Sequence, residues 1–289
     1  MNTVEKLNRV KEVKNDEFYT MMDTIENELI HYRKYLKDKI IYCNCDSEKS
    51  NFYKYFYINF YILGIKKLIA TCYNEEGNGY KIEVYIENNI LKKIKSKLKG
   101  NGDFRSEECV EILKECDIII TNPPFSLFRE FINLLMKYNK KFLIIGPKLA
   151  SGYKDIFEYI KAQKIWFGYT NTSVFIQPDG SKKNVGGTLW YVNLPVNKKQ
   201  NKLKLYKKYI ESDYYKYENY DAINIDSIYD IPVDYYGKIG VPNNFLEKWN
   251  SDEFELIEIG HGENGNKLYY IKNDKKVYPF RRIIIKRKK

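Results

Sequence analysis

The chain predicts an open, doubly wound α/β sheet followed by a less regular second region. Two observations in its first half carry that expectation. Short unbroken apolar runs recur at 40–44, 67–71, 117–121 and 142–146, the pattern of strands buried on both faces of a parallel sheet. Between them, apolar residues recur at helical spacing. Strands alternating with helices imply βαβ crossovers, hence parallel neighbours and a doubly wound topology.

Taken in order, Met22, Ile25, Leu29, Tyr32 and Leu36 share one face of a predicted helix over 22–36. Ile40–Asn44 is the first predicted core strand, and a helix is expected from about Asn51. Cys43 and Cys45, two apart, share a face if the strand continues through both. Lys67–Thr71 is the next strand. A helix over 107–116 buries Cys109, Ile112, Leu113 and Cys116, and it leads into the strand Asp117–Thr121. A helix over 126–138 buries Phe128, Phe131, Ile132, Leu135 and Tyr138, followed by the strand Phe142–Gly146. After about residue 165 the pattern changes to short strand-like stretches at 164–168, 188–194 and 254–259, separated by Gly- and Asn-rich turns such as 260–266. Two regions follow, 1–165 and 166–289, the second packed on the first.

With 289 residues, 44% of them hydrophobic, the chain is long enough to bury a sizeable core. No apolar run is long enough for a membrane span, and the charged first residues do not read as a signal peptide. Five cysteines without a secretion signal read as reduced thiols, and a cytoplasmic location is expected. Two histidines and no Cys/His cluster predict no metal site. The net charge of +11 favours a polyanionic partner, nucleic acid first.

The most informative residues are Asn122-Pro123-Pro124-Phe125, between a strand and a helix. Consecutive prolines cannot continue a strand, so the chain turns there, at the carboxyl end where open α/β sheets bind ligands. An exocyclic amino nitrogen is a poor nucleophile because its lone pair is delocalised into the ring. Acceptors on both of its N–H groups favour pyramidalisation and stabilise the charge that develops on attack. The Asn122 side-chain oxygen and the Pro123 carbonyl are candidates for that pair, Pro124 fixes the turn, and the Phe125 ring is a stacking surface for a base taken out of its helix.

The block 117–131 resembles the catalytic loop of amino-methylating methyltransferases. Further matching stretches are 42–46, 50–56, 102–106, 185–194 and 220–226, in order along nearly the whole chain. Together they are similar to the EcoRI-type adenine-specific DNA methyltransferase family. The resemblance implies S-adenosylmethionine as methyl donor, a Rossmann-like S-adenosylmethionine-dependent methyltransferase domain and a smaller C-terminal target-recognition region. It also implies that an N-terminal segment folds over the donor's methionine end. The expected activity is site-specific methylation of the adenine amino group in duplex DNA, as a restriction–modification or an orphan or phage enzyme. Loops of this kind also occur in enzymes acting on RNA or on a protein glutamine amide, which the loop alone leaves open.

Candidate donor contacts are Phe18, Tyr19 and Thr20 before the first helix, Asn44 and Asp46 at the end of the first core strand, and Asp103 and Phe104 before the helix at 107–116. An aromatic near a sulfonium is a cation–aromatic contact. Asp46 is a candidate acceptor for the donor's amino group. Asp103 is a candidate acceptor for its adenine amino group, with Phe104 on the ring. Asn74, Glu75 and Glu76 remain open for the ribose. No glycine-rich loop follows the first core strand, a departure from generic methyltransferases. Lys198, Lys199, Arg281 and Arg282 are candidate phosphate contacts in DNA. A monomer is expected, working without stable complex beside any cognate nuclease.

Overall fold

The computed structural model describes residues 19–176, 181–195, 203–262 and 265–289. The fold is mixed α/β and divides into two compact units. The first comprises residues up to Ala150 together with Gln163–Val196, and the second comprises Ser151–Ala162 with Asn197–Lys289. Residues 166–196, grouped with the second region in the sequence reading, therefore belong to the first unit.

In the first unit, β1 (Tyr19–Thr20), β2 (Ile40–Asn44), β3 (Lys67–Cys72), β4 (Tyr80–Glu87), β5 (Ile90–Lys97), β6 (Ile118–Thr121), β7 (Lys141–Pro147), β8 (Trp166–Ile176) and β9 (Lys182–Val192) form one nine-stranded sheet, ordered β1-β8-β9-β7-β6-β2-β3-β4-β5. The centre, β7-β6-β2-β3, is parallel. Every other pairing is antiparallel. All four residues of β6 and the last four of β2 are buried, as is required of strands covered on both faces. From β2 the chain moves to β3 on one side, while β6 lies on the other, so the order reverses between β2 and β6. Crevices of this kind at strand carboxyl ends are where open α/β sheets take ligands.

The helices of this unit are α1 (Met22–Leu29), α2 (Asn51–Ile58), α3 (Phe60–Leu63), α4 (Glu107–Glu115) and α5 (Phe128–Lys137). The predicted helix over 22–36 ends at Leu29, with a short 3₁₀ turn at Arg33–Tyr35. Tyr32 and Leu36 are still fully buried, because a tight turn keeps the same face inward. The predicted common face for Cys43 and Cys45 is not formed: β2 stops at Asn44 and Cys45 turns at φ 69°. The β4–β5 hairpin was not assigned from the sequence. Its Asn88 and Asn89 both have positive φ, 51° and 62°, as a two-residue hairpin turn demands.

Glu28 on α1 is fully buried and organises β8. It accepts from the amides of Tyr169 and Thr170, 2.8 and 2.7 Å, from the Thr170 hydroxyl, 2.7 Å, and from the Tyr32 hydroxyl, 2.9 Å. The register of β8 against β9 shifts between Phe167 and Asn171, so the carboxylate collects the amides that this bulge turns away from the ladder.

The second unit contains α6 (Lys154–Lys161) and β10 (Ile223–Asn224), β11 (Lys238–Pro242), β12 (Phe254–Ile259) and β15 (Arg282–Arg287), in sheet order β10-β11-β15-β12. A separate ribbon pairs β13 (Tyr270–Lys272) with β14 (Lys275–Val277). The terminal stretch, whose Arg281 and Arg282 were candidate phosphate contacts, runs on into an interior strand. Ile283, Ile284 and Ile285 are fully buried between β11 and β12.

Candidate active site

The Asn122-Pro123-Pro124-Phe125 turn leaves the carboxyl end of β6 directly. Thr121 is the last strand residue, Pro123 is buried, and Asn122, Pro124 and Phe125 are half-buried. Phe125 begins a 3₁₀ turn over Phe125–Leu127, closed by the Leu127 amide on the Pro124 carbonyl at 3.1 Å, and α5 starts at Phe128. Phe128 seats that helix on β7. A Cβ at Gly146 would stand 2.1 Å from its ring, so the strand must be bare there.

Beside this turn the chain leaves β2 through Asn44, Cys45 and Asp46. Where generic methyltransferases use glycines, this chain takes the left-handed turn at Cys45, a conformation that costs a non-glycine residue about 1 kcal/mol. The loop closes on the first turn of α2. Ser50 caps that helix by accepting from the Phe52 amide, 3.1 Å, and its hydroxyl donates to Asp46 Oδ1 in a short contact. Thr121 Oγ1 lies 2.6 Å from Asp46 Oδ2 and in short contact with the Asn44 carbonyl. Asp46 thus joins the loop after β2 to the residue before Asn122. Burial pushes its carboxyl up to about 7, against the hydrogen bonds from Ser50 and Thr121. Burial also pushes the Cys43 and Cys45 thiols well up.

The N-terminal segment reaches the same place. Thr20 pairs with Phe175 in β8, and its carbonyl accepts from Asn51 Nδ2 at 2.8 Å. The Phe175 ring stands edge-on to Phe125, centroids 6.4 Å apart. Tyr19 joins the sheet through its backbone opposite Ile176, and Phe18 lies outside the described residues.

Asn44 is almost fully buried, and its side-chain oxygen accepts from Thr71 Oγ1 at 3.1 Å, which fixes the amide with Nδ2 turned away. Among the described residues, Asn44 Nδ2 and Thr20 Oγ1 are buried without a hydrogen-bond partner. Buried polar groups are ordinarily satisfied, so both atoms fit a polar ligand.

Asp103 and Phe104 lie beside the end of β3. Asn101 accepts the Asn74 amide at 2.8 Å, and Gly102, at φ 81°, approaches so closely that a Cβ would stand 2.5 Å from the Cys72 carbonyl oxygen. Asp103 is held by Arg105 through the backbone amide, Nε and Nη2 at 2.7–3.0 Å, and this guanidinium keeps its carboxyl below the usual range. Phe104 is only 3% exposed, edge-on to Phe131 at 5.0 Å with Arg105 5.4 Å from its ring. Its ring is committed to the core, not offered as a free platform for the donor's adenine. Asn74 turns its oxygen onto the Glu76 amide at 2.8 Å, and Glu75 and Glu76 are exposed.

Of the candidate DNA contacts, Lys198 and Lys199 lie outside the described residues. Arg281 is exposed, with Nη1 2.9 Å from the Gly152 carbonyl. Arg282 does not offer its guanidinium to a phosphate. It is 8% exposed and donates to Asn224, Asp226 and the Phe280 carbonyl at 2.7–3.1 Å. Sequence reading missed Ser50, Asn51, Thr121, Arg105 and Phe175. Only Ser50, a hydroxyl before a helix, carries a local signal.

Among the described residues no group of three His, Cys, Asp or Glu side chains could hold a metal ion, and no helix is long and apolar enough to cross a membrane. None of the five cysteines is joined in a disulfide.

A family described as "Adenine-specific methyltransferase EcoRI" matches residues 6–288. The chain is 44% identical to the type II methyltransferase M.EcoRI of Escherichia coli, over 99% of this chain and 98% of that one. It is 41% identical to the type II methyltransferase M.MgeORF184P of Mycoplasma genitalium, over 87% and 85% of the two chains. It is 38% identical to the type II methyltransferase M.MpnI of Mycoplasma pneumoniae, over 87% and 84%. No solved structure matches the chain.

Proposed function

The chain belongs to the EcoRI family of adenine-specific methyltransferases, and from that premise we propose that it methylates the exocyclic amino nitrogen of an adenine turned out of duplex DNA. The observation that carries the site assignment is the Asn122–Phe125 turn at the carboxyl end of β6, hydrogen-bonded through Thr121 to the loop after β2 where the strand order reverses. The first unit is read as a Rossmann-like methyltransferase domain, and the second as target recognition. The expected role is that of a modification enzyme, alone or beside a cognate nuclease, acting as a monomer in the cytoplasm.

The family implies S-adenosylmethionine, which supplies a methyl group on a positively charged sulfur. Thr20 Oγ1 and Asn44 Nδ2, buried and unpartnered among the described residues, fit its polar methionine end. The acidic Asp103 beside the end of β3 suits its adenine or ribose. The chain's own residues then act on the base. Asn122 Oδ1 and the Pro123 carbonyl accept its two amino hydrogens and draw the lone pair out of the ring. Phe125 stacks on the base and keeps its amino group at the Asn122–Pro123 acceptors. When bound, the donor would give its methyl group to that nitrogen and leave as a neutral thioether. The surplus amino proton leaves through the same acceptors to solvent. No strong base is required before attack, which suits a neutral amide.

Labelled S-adenosylmethionine offered with unmethylated duplex DNA, total RNA and protein extract in parallel tests this reading. Label in DNA is expected. Label in RNA or protein alone keeps the loop chemistry and overturns the substrate.

A further inference from the structure

The hydroxyl of Thr121 has one proton and two oxygen neighbours, the Asn44 carbonyl and Asp46 Oδ2 at 2.6 Å. A carbonyl only accepts, so the Thr121 proton belongs to that contact. The Asp46 contact then needs a proton of its own. The other carboxyl oxygen, Oδ1, already accepts from Ser50, whose hydroxyl in turn accepts from the Phe52 amide. Every oxygen in this cluster is satisfied when Oδ2 carries the proton and donates to Thr121. With an ionised carboxylate, two acceptors compete for the one Thr121 hydrogen in a buried site.

We infer that Asp46 is a positioning residue that works in its protonated form, donating to Thr121 so that Thr121 can donate to Asn44 and hold Asn122 against the donor loop. The titratable groups facing it are the thiols of Cys43 and Cys45, both raised first by burial and then by Asp46 itself. From β6 it meets the hydroxyl of Thr121, and from the start of α2 that of Ser50. Burial dominates its rise to about 7. An acid whose folded-state value lies above its unfolded value binds an extra proton on folding. The stability this contributes is present at low pH and is lost as pH rises through about 7. The activity part of the inference rests on the methyl-transfer reading, whereas the protonation part does not.

Asparagine is the neutral analogue: its oxygen accepts from Ser50 while its nitrogen donates to Thr121. Three measurements on the full chain test the inference. Between about pH 6 and about pH 8 the Tm of wild type is expected to fall by about 2 °C or more relative to Asp46→Asn. The kcat of Asp46→Asn, whatever its absolute level, is expected to stay flat across this range where that of wild type declines with rising pH. Thr121→Val is expected to lower kcat about tenfold with the donor Kd unchanged. Parallel Tm curves for the two proteins overturn the protonated state. A loss of donor affinity of about tenfold in Asp46→Asn assigns the residue to direct donor contact as a carboxylate and overturns the inference. Unchanged kcat in Thr121→Val overturns the positioning role. The Tm comparison reads the proton without any methyl transfer, so its failure is separable from failure of the proposed reaction.

Discussion

The ring of Phe125 stands edge-on to that of Phe175, with centroids 6.4 Å apart and planes at 87°, and Phe175 is the strand partner of Thr20. One buried residue therefore touches the candidate stacking surface with its ring and pairs with the N-terminal strand through its backbone. Edge-to-face pairs contribute roughly 0.5–1.5 kcal/mol beyond area burial, enough to hold a ring in one orientation.

Phe175→Leu keeps the site apolar and is expected to lower kcat/KM for DNA about tenfold, because Phe125 loses the edge that fixes its plane. Phe125→Ala is expected to weaken capture of the base, and Phe125→Trp to retain activity. Steady-state kinetics at saturating donor checks all three. A Phe175→Leu enzyme with unchanged kcat/KM contradicts the support role.

Glu28→Ala is expected to cost about 3 kcal/mol or more in urea unfolding. It strands two amides and two hydroxyls that the carboxylate satisfies at the β8 bulge. A loss below about 1 kcal/mol means the bulge stands without it.

The two neighbouring arginines are expected to part company. Arg282→Ala loses its bonds to Asn224 and the Phe280 carbonyl, at a cost of about 2 kcal/mol. Its ionic partner Asp226 is largely exposed and stays hydrated, so the ion pair itself adds little. The salt dependence of DNA binding is expected to be unchanged. Arg281→Ala is expected to leave stability nearly intact and to reduce the salt slope by about 1 if Arg281 meets a phosphate. Equal salt slopes for Arg281→Ala and wild type remove Arg281 from the interface.

The parallel core was legible because β2, β3, β6 and β7 are buried on both faces and so read as unbroken apolar runs. The β4–β5 hairpin was not, since β5 is an edge strand whose lysines and exposed Ile90 and Ile94 obscure the alternation. Its Asn88–Asn89 turn was the signal available. Ile283–Ile285 is too short an apolar run among basic residues to announce an interior strand. At the site, the prolines exposed the turn at Asn122 because they cannot sit inside a sheet. The contact between Asp46 and Thr121 spans 75 residues, and nothing local to either announces it. Phe104 looked like a ligand platform because an aromatic after a turn has the same local pattern whether it faces a pocket or the core.

Nucleoside mass spectrometry of DNA incubated with S-adenosylmethionine and either wild type or Asn122→Ala tests the central claim most directly. Wild type is expected to produce N6-methyladenine. Asn122→Ala is expected to produce essentially none while binding donor and DNA as before, since it removes an acceptor used chiefly in the transition state. Methylated cytosine in place of adenine, or adenine methylation by Asn122→Ala at a rate near wild type, would contradict the account.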